Sequence, residues 1–281
     1  MLADSEQAPS RRDHHSAAAL VKGILRQREL LRELVRRDLH EAYAGSVLAR
    51  SWALLHPILL IALYLYVFGF VFSTRVGGYL PEAPDFAVFM LSGLACWLTV
   101  QAALGKATNS LLASSNLVKQ VVFPIELLPV RSVIAAQLPV LIGLFLVIIY
   151  SFIRFQILSP LIPLALYVLA AQAVLLVGLT LFLSALTVFI RDVKDIVTFF
   201  AAFGVFLTPI IYLPGTVPVG FEMVLFLNPL SHAIWCLQDI FFFQSIQHPW
   251  SWLLLGFFAV LFFWVGARFF QRTRDSFGDA L

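Results

Sequence analysis

Charge is scarce in this chain: only 12% of its 281 residues are Asp, Glu, Lys or Arg, against roughly 25% in an ordinary soluble domain. A water-facing surface cannot be built from so little. Cysteine is scarcer still, with Cys96 and Cys236 alone and both in apolar stretches. A disulfide scaffold is excluded, and neither a CxxC redox pair nor a thiolate metal site is on offer. Phosphate-binding and zinc-protease signatures are missing as well: no GxxxxGK[ST], no GxGxxG and no HExxH occurs. Hydrolysis of ATP by this chain is excluded with them. His14-His15 stands in a polar tail without further metal ligands, and the opening residues, with Asp4 and Glu6 and no apolar run, are unlike a cleavable signal peptide.

Apolar surface is what the chain has in excess. Hydrophobic residues make up 60%, 27 of them Phe, and the mean hydropathy is +0.90, which is more than an aqueous core can bury. A helix rises about 1.5 Å per residue, so a hydrocarbon layer of roughly 30 Å calls for about 20 apolar residues. Uncharged runs of that size occupy 51–74, 86–105 and 132–153. The run 155–190 is too long for one helix and too short for two, and Ser159, Pro160 and Pro163 mark a loop that begins a fourth span, 160–190. A fifth is expected at 196–212, stopped by Pro209 and the Pro214, Gly215 and Pro218 cluster, and a last at 250–267.

Between the fifth and last spans, 214–249 is apolar but broken by Pro214, Pro218, Asn228-Pro229 and His248-Pro249. With six spans both termini share one side, and that side holds every Lys and Arg except Arg75 and Arg154. Such a bias marks the cytosolic face. A seventh span would carry Arg268, Arg272 and Arg274 outward, so 214–249 is read as an outer gate of short helices that dip into the outer leaflet and return. Backbone at that depth must be covered by protein or line a wet cavity. The net charge of +3 is what inward loops carry, and it does not point to nucleic acid. The expectation is an all-α integral membrane protein: a disordered tail (1–19), a cytosolic amphipathic interface helix (20–50), a six-span domain (51–271) with an inner loop (107–131), and a cytosolic tail (272–281).

Four features could carry function. In 20–50, Leu20, Ile24, Leu31, Leu34, Val35 and Leu39 recur at helical spacing opposite Arg26, Arg32, Arg36, Arg37, Glu29 and Glu33. That pattern suits a helix lying on anionic lipid, and equally one that docks on a cytosolic partner. The inner loop holds a short apolar stripe, Leu117, Val118, Val121, Val122 and Phe123, interrupted by Lys119 and Gln120 and closed by Pro124 and Pro129. It predicts a short helix at the inner face, suited to transmit force as a rigid element. Trp52, His56, Leu60, Tyr64, Phe68 and Phe72 step by four along the first span, and Phe199, Phe203 and Phe206 share a face of the fifth. These rows fit lipid contact or packing, or a conduit whose rings slide along the apolar faces of sugars. Finally, Arg191, Asp192, Lys194 and Asp195 form a mixed-charge turn that reads as a polar cap between spans. No Asp, Glu, Lys or Arg lies inside the six spans, which argues against ion-coupled transport.

Several stretches taken together resemble one family. Arg37-Asp38-Leu39, Tyr43, Ser46-Val47-Leu48, Trp52, Leu55, Pro57, Tyr64 and Phe68-Gly69 are similar to the segment leading into the first span of ABC-2 type polysaccharide export permeases, although Ala42 and Ala49 stand where that family usually has Arg and Gly. Asn116 through Pro124, followed by Glu126 and Leu128-Pro129, resembles its inner coupling loop. Phe189 through Asp195, then Thr208-Pro209-Ile210-Ile211-Tyr212, Pro218 and Asn228-Pro229-Leu230, resembles its third signature.

The resemblance implies a homodimer in the bacterial cytoplasmic (inner) membrane, with amino and carboxyl ends in the cytosol and two copies of a separate cytosolic ABC ATPase as partners. The exported substrate would be a lipid-linked glycan such as O-antigen, capsule or teichoic acid. This chain would bind no cofactor, with ATP and Mg held on the partner. Leu117, Val118, Lys119, Gln120, Phe123, Arg36 and Arg37 would meet the ATPase, and Trp52, His56, Tyr64, Phe68, Phe72, Phe199, Phe203, Phe206 and Tyr212 would line the conduit. Two alternatives stay open at this point: an ABC-2 permease for a drug or small lipid, and an integral membrane enzyme acting on lipid-linked sugars.

Overall fold

The computed structural model describes residues 17–41, 49–64, 66–67, 83–115, 123–156, 158–213 and 217–280, and among them every regular element is helical. The predicted interface helix falls as two, α1 (Ala17–Arg26) and α2 (Arg28–Glu41). The joint at Gln27 is slight, since its N–H still bonds to the Gly23 and Ile24 carbonyls at 3.2 Å. Residues 17–19, expected in the tail, are already helical, and the rest of that tail lies outside the described residues. There follow α3 (Ala49–Tyr64), α4 (Ala83–Ala113), α5 (Leu127–Phe155) and α6 (Ala165–Phe189). Next come α7 (Val193–Phe203), α8 (Val219–Leu227), α9 (Pro229–Gln238), α10 (Pro249–Thr273) and a last turn, α11 (Phe277–Ala280).

Four of the described helical stretches are long and apolar enough to cross a membrane: Phe86–Ala113, Leu127–Ile153, Ile162–Phe189 and Pro249–Ser276. A fifth is reached if Gly220–Leu227 and Pro229–Phe243, bent by 94°, count as one. Several helices overrun the predicted spans at one end. α4 continues past Lys106, α5 begins before Arg131, and α10 continues past Arg268. Charge ends an apolar run but not a helix, because Lys and Arg are good helix formers and snorkel from a membrane edge.

The first predicted span, 51–74, is helical as far as it is described, in α3 and again at 66–67, and the rest of it lies outside the described residues. The fifth is not one helix over 196–212: α7 starts at Val193, tightens into a 3-10 turn at Gly204–Leu207, and stops at Thr208, whose backbone is extended (φ −131°, ψ 154°). Thr208 precedes Pro209, and the proline ring pushes the residue before it out of the α region. The same rule cuts the segment 214–249. Asn228 before Pro229 is extended (φ −77°, ψ 114°), and its side chain accepts the Leu230 N–H at 3.0 Å to start α9.

α6 and α10 form the closest pair. Their backbones touch at Gly178 and Gly266, where a Cβ built on Gly266 would stand 1.9 Å from the Gly178 carbonyl oxygen. Only small residues allow such an approach. Contacts advance in step along α6 and along α10 into α11: Tyr167 stacks on Trp252, Phe182 meets Phe269, and Phe189 meets Phe277 at the start of α11. α6 and α10 therefore run parallel. The chain between them, 190–248, makes one net return across the bundle.

α4 is the central helix, contributing Val88, Leu94, Trp97 and Leu104 to a core shared with α5, α6 and α9. Its buried hydroxyls are satisfied locally: Ser92 donates to the Phe89 carbonyl at 2.8 Å and Thr108 to that of Leu104 at 3.2 Å. Gln172 of α6 instead reaches across to the Cys96 carbonyl at 3.0 Å. At one end of the bundle, Leu20 of α1 packs with Phe270 and Phe277. The amino-terminal helices and the end of α10 thus share a face.

Candidate functional site

That shared face holds the first group of candidate residues. α2 buries Leu31 and Leu34 on Leu127 and Val130 at the start of α5, because its apolar positions recur on one side. Asp38 adds an ion pair to Arg131 at 3.5 Å, with side chains only 14% and 16% exposed. Glu126, just ahead of α5, meets Arg274 at 3.5 Å and so ties the α4–α5 connection to the carboxyl end. Arg36 and Arg37 point the other way. Both side chains are 70% exposed, paired within α2 to Glu33 and Glu41. The Glu41 carboxylate holds the Arg37 pKa above its ordinary value, through their hydrogen bond first and charge attraction second. Two charged side chains are left displayed on a helix whose other side is anchored.

Phe123 is half-buried between the α1–α2 pair and the bundle, in contact with both apolar clusters there. Leu117, Val118, Lys119 and Gln120 lie outside the described residues, as do Phe68, Phe72 and the side chain of His56. On α3, Trp52 is half-exposed and Tyr64 packs against the core.

The α7 row is brought together. Val193, Val197 and Ala201 face the bundle, while Phe199, Phe203 and Phe206 are 66%, 54% and 51% exposed. Phe199 and Phe203 rings lie 4.7 Å apart. Phe200 is the inward aromatic, edge-on to Trp97 at 5.7 Å. The row is thus an apolar face left uncovered by the described residues. Tyr212 is fixed by its hydroxyl, which donates to the Phe206 carbonyl at 3.2 Å. Arg191, Asp192, Lys194 and Asp195 are exposed in the α6–α7 turn. The turn does cap α7, but with its backbone: the Asp192 carbonyl accepts from Asp195 and Ile196, and its side chain makes no capping bond.

The segment 214–249 also holds a polar centre that the sequence pattern does not show as a unit. α9 ends in a π-helical turn, Asp239–Phe243, that buries the Asp239 carboxylate completely. It accepts from His248 Nδ1 at 2.8 Å, the His248 backbone N–H at 3.1 Å and Trp252 Nε1 at 3.0 Å. His248 in turn stacks on Trp235 at 5.5 Å. Gln238 donates to the Pro209 carbonyl at 2.7 Å and Asn228 to that of Leu207 at 3.0 Å, joining the corner to the end of α7. The available signal was that Asp239 is the one Asp, Glu, Lys or Arg between Glu222 and Arg268. Among the described residues no cluster of His, Cys, Asp and Glu could hold a metal ion.

The sequence compares with known proteins over most of its length. It is 25% identical over 263 residues to the O-antigen export system permease protein RfbA of Klebsiella pneumoniae, covering 90% of this chain and 95% of that protein. It is 26% identical over 264 residues to the protein of the same name from Myxococcus xanthus, covering 93% and 99%. Residues 29–242 match the family model of the ABC-2 type transporter, a region that takes in α2, the helices of the bundle up to α9 and the buried carboxylate. The chain is a member of the ABC-2 type transporter family.

Proposed function

We propose that this chain is the membrane-spanning subunit of an ABC transporter that exports a lipid-linked polysaccharide across the bacterial cytoplasmic membrane. The observation that carries the reading is the end-to-end similarity to permeases named for O-antigen export. Two copies of this chain pair with two copies of a separate ATPase, which binds the ATP and Mg²⁺. Each copy crosses the membrane six times, α3 beginning the first crossing and α7 the fifth, with both termini in the cytosol. The meeting of α1 with α10, and the parallel course of α6 and α10, favour that even count.

The anchored α2, with Arg36 and Arg37 displayed, and the loop around Lys119 receive the push of ATP-driven closure. A helix fixed on one side by Leu31, Leu34 and the Asp38–Arg131 pair transmits displacement to α5 rather than absorbing it. The two halves rock, and the α7 face with Phe199, Phe203 and Phe206 lines a passage between them with Trp52 and Tyr64. Aromatic faces offer broad apolar contact with few fixed hydrogen bonds, which lets a sugar chain slide. The test is deletion of this chain, or of the ATPase encoded beside it, with surface polymers displayed on gels. Loss of one long-chain glycan in both strains, restored by the plasmid-borne chain, is expected. Unchanged surface glycan refutes the reading.

A further inference from the structure

The corner between α8 and α9, together with the first turn of α10, borders a half-open cavity of about 550 Å³. Small-molecule sites typically span roughly 300 to 1,000 Å³. Of the described residues assigned above to the conduit, Tyr212 alone borders this cavity. Its walls are aromatic on more than one side, with Tyr212 from the stretch after α7, Phe226 and Trp235 from the corner, and Trp250 from α10. Two of these rings are fixed by the fold itself. Trp235 stacks on His248 with 12° between the planes, and the buried Asp239 carboxylate holds His248. Tyr212 sits edge-on to Phe221 at 5.5 Å and bonds through its hydroxyl to Phe206. Glu222, Gln247 and Ser251 add polar groups to the lining.

We propose that this cavity is a sugar subsite, taking one pyranose ring against the aromatic wall of Trp235 and Tyr212 with its hydroxyls bonded to Glu222 and Gln247. A pyranose has an apolar C–H face and a rim of hydroxyls that both donate and accept. Rigid aromatic walls serve the first, and a carboxylate acceptor beside an amide serves the second. The preset rings lower the ordering cost of binding. An acyl chain would gain nothing from Glu222 and would bear the cost of desolvating it. A phosphate would be repelled, since Glu222 carries the charge at the wall and His248 is already turned to Asp239. The natural ligand rests on the polysaccharide reading, but the binding chemistry does not.

The test uses the purified full-length chain in lipid nanodiscs and saturation-transfer NMR, with methyl glucoside, methyl mannoside and N-acetylglucosamine as probes. At least one should bind saturably with a Kd on the order of millimolar. Trp235→Leu should weaken it about tenfold, a stacking contribution converted to affinity. Glu222→Gln, on an exposed side chain, should weaken binding by several-fold without touching the fold. No saturable transfer from any of the three sugars, or equal binding by the parent chain and both variants, overturns the proposal. So does stable occupancy by lipid, seen in native mass spectra of the parent chain as a retained phospholipid that no sugar displaces and that Trp235→Leu releases. Loss of surface glycan on deletion, without sugar binding in vitro, removes this inference alone. Sugar binding with unchanged surface glycan removes the export reading alone.

Discussion

Replacing Asp239 with Asn should loosen the corner between α8 and α9 while leaving the rest of the bundle intact. The carboxylate is fully buried and faces three donors at 2.8, 3.0 and 3.1 Å. Asn keeps one acceptor oxygen and sets an NH₂ group against His248 Nδ1, so the imidazole either keeps its Nδ1 proton buried and unpaired or gives it up to accept from the amide, and the bond to a carboxylate is lost either way. A buried donor without a partner costs about 1 to 3 kcal/mol, and breaking a buried charged pair about 3 to 5 kcal/mol. Taking about 3 kcal/mol as the loss, local opening becomes roughly a hundredfold more frequent, at about 1.4 kcal/mol per factor of ten. Hydrogen exchange read by mass spectrometry on the purified full chain reports this directly. The amides of Ser245 and His248, which bond to the Asp239 carbonyl and carboxylate, should exchange about a hundredfold faster, with peptides of α5 unchanged. His248→Ala should act in the same place, and the double variant should fall short of the two effects added, since they share a bond. Unchanged protection of Ser245 and His248 in Asp239→Asn refutes the reasoning.

Gly178→Ala should prevent correct assembly of α6 on α10, because its Cβ would stand 2.3 Å from the Phe262 carbonyl, whereas Gly105→Ala meets nothing within 4 Å and should raise thermal stability by up to about 1 kcal/mol of helix propensity; detergent-resistant folded yield and melting temperature separate the two. Arg131→Met should free α2, strand Asp38 and cost about 2 kcal/mol, between the values for exposed and buried pairs, seen as faster proteolysis within α1 and α2. Lys119→Glu should leave folded yield unchanged while ATP turnover by the reconstituted complex loses its dependence on this chain, and full coupling in that variant counts against the loop as a contact. Phe199→Ala with Phe203→Ala should lower surface glycan more than membrane abundance, since both rings point away from the core; normal glycan levels would return the row to a lipid-facing role.

The positions of the long helices were legible because an uncharged apolar run of sufficient length has few other fates. Their ends were not. Lys106, Arg131 and Arg268 bound the hydrophobic runs yet sit inside helices, so charge marked where an apolar run ends and said little about where hydrogen bonding stops. Prolines were the better markers: Thr208-Pro209 and Asn228-Pro229 break the backbone where the dipeptide requires it. The four-residue spacing of Phe199 and Phe203 revealed a shared face, but its outward direction follows from Val193, Val197 and Ala201 taking the inward one. Phe123, grouped in the sequence with a partner-facing stripe, proves half-buried against α1 and α2. Asp239 was visible as an isolated charge, and its partners were not, because a histidine and a tryptophan farther along the chain become ligands only once a π-helical turn aims the carboxylate at them.

The parallel course of α6 and α10 explains why the intervening chain is built so irregularly. Two parallel neighbours joined in sequence require a return path of one net crossing, and a single helix of about 20 residues would suffice. Residues 190–248 are far more than that. The surplus is not slack: α7 displays three phenylalanines, and α8 and α9 fold into a corner held by Gln238, Asn228 and the Asp239 centre. A straight helix would have buried its polar groups nowhere and bordered no cavity. Broken backbone inside an apolar bundle persists only where side chains answer its free carbonyls, and here the amides of Gln238 and Asn228 answer those of Pro209 and Leu207. Removing either amide should therefore open the joint between α7 and the corner without disturbing the glycine contact of α6 and α10, which draws on none of these bonds.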